Sequence, residues 1–268
     1  NELWAVETPS DPFTPDREPM RGAVEIARCA DIDGDGDGEI VLGSGNWFAY
    51  AYDHQGELLW TALNWAHHPT SIAFAELEGG KKAALIGTTY NHANLFGPDG
   101  EKLSDVSVGY HGAAMSTAAS DMDGDGIQEM IAGSRVGGVH LKQYQGDRAW
   151  AKFMGAEVTA VRVADINGDD SQELVAGSKN FYVLATDAQG NILWTTNVGE
   201  SVLDVRVADV LGDDSPEIIA ATEGGMVRVL SNAGEILATM HAGGNVTRLL
   251  AADTQGDGNL HIVAGADD

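Results

Sequence analysis

One spacing governs this chain. An acidic residue recurs at Asp31, Glu76, Asp121, Asp165, Asp209 and Asp253, at intervals of 45, 45, 44, 44 and 44 residues, with a short apolar run before and after it. A period of this length running from end to end implies six copies of one supersecondary unit. Each copy is too small to bury its own apolar face, so neighbours must stack to make a shared core. A single domain spanning residues 1–268 is therefore expected rather than two independent cores.

Within a copy the period is that of strands. In the fourth, Val158 to Ala164, Glu173 to Ser178, Phe181 to Thr186 and Ile192 to Thr196 are short runs rich in β-branched and aromatic residues, each bounded by Gly, Asp or Asn. Gly56, Gly100, Gly146, Gly190 and Gly234 mark a hairpin between the third and fourth runs, where a positive φ is expected. Trp60, Trp150 and Trp194 follow three of these glycines and are expected to pack between repeats. Four-stranded units with no helical periodicity predict an all-β fold, a six-bladed β-propeller of four-stranded blades. The opening Glu2-Leu3-Trp4 matches a fourth strand, so the N-terminal strand, Glu2 to Val6, is expected to close the last blade beside Val246 to Ala251 and His261 to Gly265. Thr8 to Gly22, with Pro9, Pro12, Pro15 and Pro19, is an insertion expected to form an extended loop walling one side of the ring.

The loops between first and second strands carry oxygen ligands at alternating positions. The first offers Asp31, Asp33, Asp35, Asp37 and Glu39, and the third Asp121, Asp123, Asp125, the carbonyl of Ile127 and Glu129. The fourth offers Asp165, Asn167, Asp169, Ser171 and Glu173, whereas the fifth keeps Asp209, Asp213 and Glu217 and has Leu211 in place of a ligand. Alternating acids on a glycine-bent loop suit calcium, a hard cation that takes six to eight oxygens in a pliable shell. The second and sixth loops are poorer, the second running into Lys81 and Lys82 and the sixth ending at His261. These loops, with the Glu-Ile-Val-Leu-Gly-Ser and Glu-Leu-Val-Ala-Gly-Ser strands that follow two of them, resemble the FG-GAP or VCBS type of calcium-loop propeller repeat. The resemblance implies the propeller and its calcium sites, and leaves activity open because that family hosts many functions.

Composition narrows the partners. Lys and Arg number 15 against 41 Asp and Glu, a formal net charge of −26, which repels a phosphate backbone or an anionic membrane surface. Nucleic acid is excluded as a partner on that ground, and no apolar run is long enough for a membrane span. Cys29, the one cysteine, falls at the position that Val163 and Val207 hold in later copies, so a buried strand residue is expected there. No leader-like segment opens the chain, and an extracellular or periplasmic location, with any signal peptide removed, is expected.

The remaining loops, between second and third and between fourth and first strands, share the opposite face, and their residues do not repeat. They bring Trp47, Trp65, His67, His68, Tyr90, Asn91, His92, Tyr110, His111 and Arg135 to one side of the ring. Aromatic rings stack on sugar faces while amides and imidazoles bond hydroxyls, so this side predicts recognition of a glycan or an extracellular protein. The alternative is a polysaccharide lyase cleaving a uronate polymer by β-elimination. In that scheme His67, His68, His92 or His111 is the base, Tyr90 or Tyr110 the acid, and Arg135 neutralises the carboxylate. A zinc site of three imidazoles, and surface histidines with no shared role, are the remaining readings.

Overall fold

The computed structural model describes residues 5, 6, 8, 22–64 and 67–267. The first sheet holds β1 (Val24–Ala30), β2 (Glu39–Ser44), β3 (Phe48–Tyr52) and β4 (Leu58–Leu63); the second holds β5 (Pro69–Glu76), β6 (Lys82–Thr88), β7 (His92–Phe96) and β8 (Lys102–Ser107). The third is built of β9 (Ala114–Ser120), β10 (Glu129–Ser134), β11 (Gly138–Gln143) and β12 (Ala149–Phe153), and the fourth of β13 (Val158–Ala164), β14 (Glu173–Ser178), β15 (Tyr182–Thr186) and β16 (Ile192–Asn197). The fifth follows with β17 (Val202–Ala208), β18 (Glu217–Thr222), β19 (Met226–Leu230) and β20 (Ile236–His241), and the last pairs β21 (Val246–Ala252) with β22 (His261–Ala266). Every pairing is antiparallel between consecutive strands, so each sheet is a meander.

The first strands pack side by side, β1 on β5, β5 on β9, β9 on β13, β13 on β17 and β17 on β21, whereas the fourth strands lie at the other edge of each sheet, β20 exposed along its length. This is the radial order of a β-propeller. The core is divided into layers between consecutive sheets. Val41, Trp60, Ile72 and Phe96 fill the first layer, Leu85, Leu95 and Met130 the second, and Ile131, Val158 and Leu174 the third. Val175, Val202 and Ile218 fill the next, and Ile219, Val246 and Leu249 the last. Strand alternation supplies both sides of each sheet: Val41 faces one layer while Leu42 joins Phe48, Tyr50 and Tyr52 on the other face of the same sheet.

Trp60, Trp150 and Trp194 do pack between sheets, each ring against the hairpin glycine of the next, Gly100, Gly190 and Gly234. These glycines and Gly56 have positive φ, but Gly146 does not, because its hairpin is one residue longer and closes from Gln143 to Arg148. Cys29 is exposed, not buried: among the described residues no sheet covers that face of β1, whereas β10 and β14 are enclosed on both sides. The closing strand expected at Glu2 to Val6 falls mostly outside the described residues, with Ala5 and Val6 in no strand; Pro9, Pro12, Pro15, Pro19 and Trp65 also lie outside them.

Candidate functional site

The acidic loops share one internal scaffold. Asp31 accepts hydrogen bonds from the backbone N–H groups of Gly34 (2.8 Å) and Gly36 (3.1 Å), Asp33 from that of Asp35 (3.1 Å), and Asp35 from that of Asp37 (2.8 Å). Glycines at positive φ, Gly34 and Gly36, let the chain bend tightly enough for this. In the first, third, fourth and fifth loops the closing glutamate reaches back to the loop's start. Glu39 accepts from Ile32 N–H at 2.8 Å, Glu129 from Met122 at 2.9 Å, Glu173 from Ile166 at 3.0 Å and Glu217 from Val210 at 3.0 Å. Asp37 instead turns outward toward His54, 3.6 Å away.

Two of the loops gather three carboxylates within ligand range of one another: Asp31, Asp33 and Glu39 in the first, and Asp121, Asp123 and Glu129 in the third. In the first, Glu39 is only 2% exposed, and burial, followed by the charges of Asp33, Asp35 and Asp31, pushes its pKa up against the opposing bond from Ile32. An all-oxygen donor set, Glu39 buried, Asp31 part-buried and Asp33 exposed, fits a hard cation such as calcium, which these three would hold with Asp35 beside them. The third loop fits less simply. Asp123 keeps one buried carboxylate oxygen without a partner, but Arg148, from the adjoining hairpin, sets its guanidinium 2.5 Å from Asp123 and 3.2 Å from Glu129. Its charge stands where part of a cation's charge would be needed, and Asp123 in turn holds the Arg148 pKa up.

The other loops are looser. In the fourth, Asn167 donates its amide to Asp169 (3.1 Å) and Glu173 (3.3 Å), while Ser171 donates its backbone N–H to Asp169 at 2.8 Å. In the fifth, Asp213 accepts from Ser215, Asp209 from Gly212, and Leu211 is 58% exposed with its N–H on Glu217. In the second, Lys82 pairs with Glu76 at 2.8 Å and neutralises it. Arg148 and Lys82 follow no repeat rule, and only the loop-to-hairpin proximity reveals the first of them.

On the opposite face, backbone bonds tie neighbouring loops together. Thr89 N–H donates to the His68 carbonyl at 2.9 Å, Asn91 to Gly112 at 2.6 Å, Arg135 to Ala113 at 2.9 Å, and Val108 to Asn91 at 2.7 Å. The result is a contiguous run of rings: His67 lies 4.8 Å from Tyr90 between centroids, Tyr90 6.4 Å from His111, and His111 4.0 Å from Tyr110. Tyr110 is 77% exposed, so the run is open to a ligand. His68 Nδ1 meets Glu25 Oε1 at 2.7 Å, a partner that sequence reasoning did not supply. His92 pairs with Asp105 of β8 at 3.3 Å, and Arg135 extends to the Met115 sulfur at 3.6 Å. Trp47 sits in the β2–β3 turn, half-exposed and with φ of 76°, where Gly137 and Gly225 hold the equivalent turns of the third and fifth sheets. Asn91 (φ 63°) and Phe181 (φ 77°) take the same place in the second and fourth. No three histidines form a metal-binding group among the described residues.

A family model described as the lambda-carrageenase beta-propeller domain matches residues 174–268. No curated protein matches the chain. Among solved structures, BBS1N crystallised in complex with ARL6DN and soaked with lead is similar over 97% of this chain and 93% of its own, with a TM-score of 0.65 at 13% identity. Raptor from Chaetomium thermophilum is similar over 94% of this chain and 24% of its own, with a TM-score of 0.61 at 14% identity. BamB from Moraxella catarrhalis aligns over 86% of this chain and 64% of its own, at a TM-score of 0.60 and 16% identity. At such identities the likeness carries the fold alone: the chain is a β-propeller repeat protein.

Proposed function

We propose that this protein is a secreted, calcium-stabilised propeller that recognises a carbohydrate through its aromatic loop face, the N-terminal strand completing the last blade. The observation that carries the reading is the unbroken run of His67, Tyr90, His111 and Tyr110. Such a ledge of rings, Tyr110 and His111 exposed and His67 and Tyr90 half-exposed, offers stacking surface with polar edges, the combination a sugar presents in reverse. The partial match to a carrageenase propeller supports a polysaccharide as the ligand class. Acidic loops with incomplete ligand sets fill only where calcium is near-millimolar, which supports a place outside the cytosol. Titration of acidic and neutral polysaccharides by calorimetry tests this. Tyr90→Ala should weaken binding roughly tenfold, the size of one stacked ring. Binding that survives both Tyr90→Ala and Tyr110→Ala would remove the reading.

His68 favours a second reading, β-elimination on a uronate polymer. Its bond to Glu25 fixes Nδ1 and leaves Nε2 free as a base. Release of unsaturated ends, abolished in His68→Ala without loss of affinity, would establish that reading in place of the first.

A further inference from the structure

The six first strands together border one cavity of about 320 Å³. Four of its lining residues are arginines: Arg28 on β1, Arg162 on β13, Arg206 on β17 and Arg248 on β21. The one acid among the lining residues is Asp204, 3% exposed. Asp204 is fully engaged. It accepts from Arg162 (2.8 Å), Arg206 (3.0 Å) and the backbone N–H groups of Val205 (2.9 Å) and Leu249 (3.0 Å). Arg28 and Arg248 donate only to the carbonyl of the residue before each, Ala27 at 3.3 Å and Thr247 at 2.8 Å, and meet no carboxylate among the described residues.

This concentration of positive charge stands at the centre of a chain whose formal net charge is −26. The outer carboxylates do not cancel it, because at physiological salt exposed charges are screened beyond about 8 Å. Burial lowers the Arg162 pKa, Asp204 opposes that, and Arg28 and Arg248 lower it further, so the guanidinium groups act on one another. The opposite side of the cavity carries hydroxyls instead. Thr70, Ser71 and Thr117 stand there. The repeat shows how the asymmetry arises: Arg28, Arg162 and Arg206 each stand three residues before a loop acid, where the second and third copies have Ala73 and Ala118.

We propose that this cavity is an oxyanion site, taking a sulfate or phosphate group between the guanidinium groups of Arg28, Arg162, Arg206 and Arg248. Guanidinium forks match tetrahedral oxyanions in geometry as well as charge. The proposal does not depend on the recognition reading.

The test is thermal melting of the full chain in sodium chloride against low-millimolar sulfate, and against phosphate with chelator present, at matched ionic strength. Bound anion raises the melting temperature by mass action, and a shift of several degrees is expected in sulfate. Arg28→Gln with Arg248→Gln should abolish that shift. The pair leaves Asp204 with both its arginine partners, Arg162 and Arg206, so the double variant should melt no lower than the wild type in chloride, which shows that it folds. A monosaccharide sulfate ester is the second arm: a shift that competes with free sulfate means the cavity accepts the group as an ester, and a shift with inorganic sulfate alone means the free ion. No shift beyond chloride in the wild type, or the same shift in the double variant, would overturn the proposal.

Discussion

The indole nitrogen of Trp150 donates to the backbone carbonyl of Ala188 at 3.0 Å, crossing from the third sheet to the hairpin of the fourth. The same ring covers Gly190, and Trp194 repeats the arrangement one sheet on, against Gly234 and the Asn232 carbonyl at 2.8 Å. Adjacent blades are thus latched at their outer ends as well as packed at the centre.

Gly190→Ala should be strongly destabilising. A Cβ there would stand 2.9 Å from the Trp150 ring, and φ is +79°. The left-handed backbone costs an alanine about 1–2 kcal/mol and overpacking a similar amount, so a loss of roughly 2–4 kcal/mol is expected in urea unfolding. Gly38→Ala, with open space around it and no positive φ, is the control and should change stability by less than about 0.5 kcal/mol.

Arg148→Ala should convert the third loop into one that depends on calcium. Glu129 is fully buried, and burial, with the charge of Asp123, already pushes its pKa up although Met122 and Arg148 oppose this. Removing the guanidinium leaves that charge unpaired, a cost on the order of 3 kcal/mol in chelator. Calcium should then restore more stability to the variant than it adds to the wild type. Equal calcium-induced melting shifts in the two proteins would show that Arg148 does not compete for the loop.

His140 should set part of the acid limb of stability. Burial lowers its pKa below 6.5, and its Nε2 has no partner. A depressed folded-state pKa contributes stability that is present above the unfolded value and is lost as pH falls from 6.5 through the folded value. Wild type minus His140→Gln should therefore lose stability over that window. Glu39, Glu129 and Glu173, with raised pKa values, work in the opposite sense, losing stability as pH rises, and cancel in this difference. A flat difference between pH 7 and pH 5 would count against a neutral, half-buried His140.

Trp47→Gly should separate strain from recognition. Loss of a half-buried tryptophan ordinarily destabilises, but at φ of 76° glycine relieves about 1–2 kcal/mol of backbone strain. Melting should stay near the wild-type temperature while polysaccharide affinity falls. A large drop in melting temperature would make Trp47 a packing residue.

The sequence alone determined the period, the strands and the turns. The strand runs read from the fourth copy coincide with β13 and β14, and end within one residue of β15 and β16, because side-chain alternation and turn chemistry are local. Phe181 is the residue that moved, from the start of a strand to a left-handed turn. The acidic loops were likewise legible, since their ligands lie within nine residues of chain. Tertiary structure decided what those elements meet. It brought Arg148 onto Asp123, Glu25 to His68, and four arginines from four sheets into one cavity. It also left Cys29 exposed where its repeat position pointed inward. Each of these depends on how sheets stack and twist about one another. That is set by the summed packing of five interlayer cores, and no single repeat encodes it.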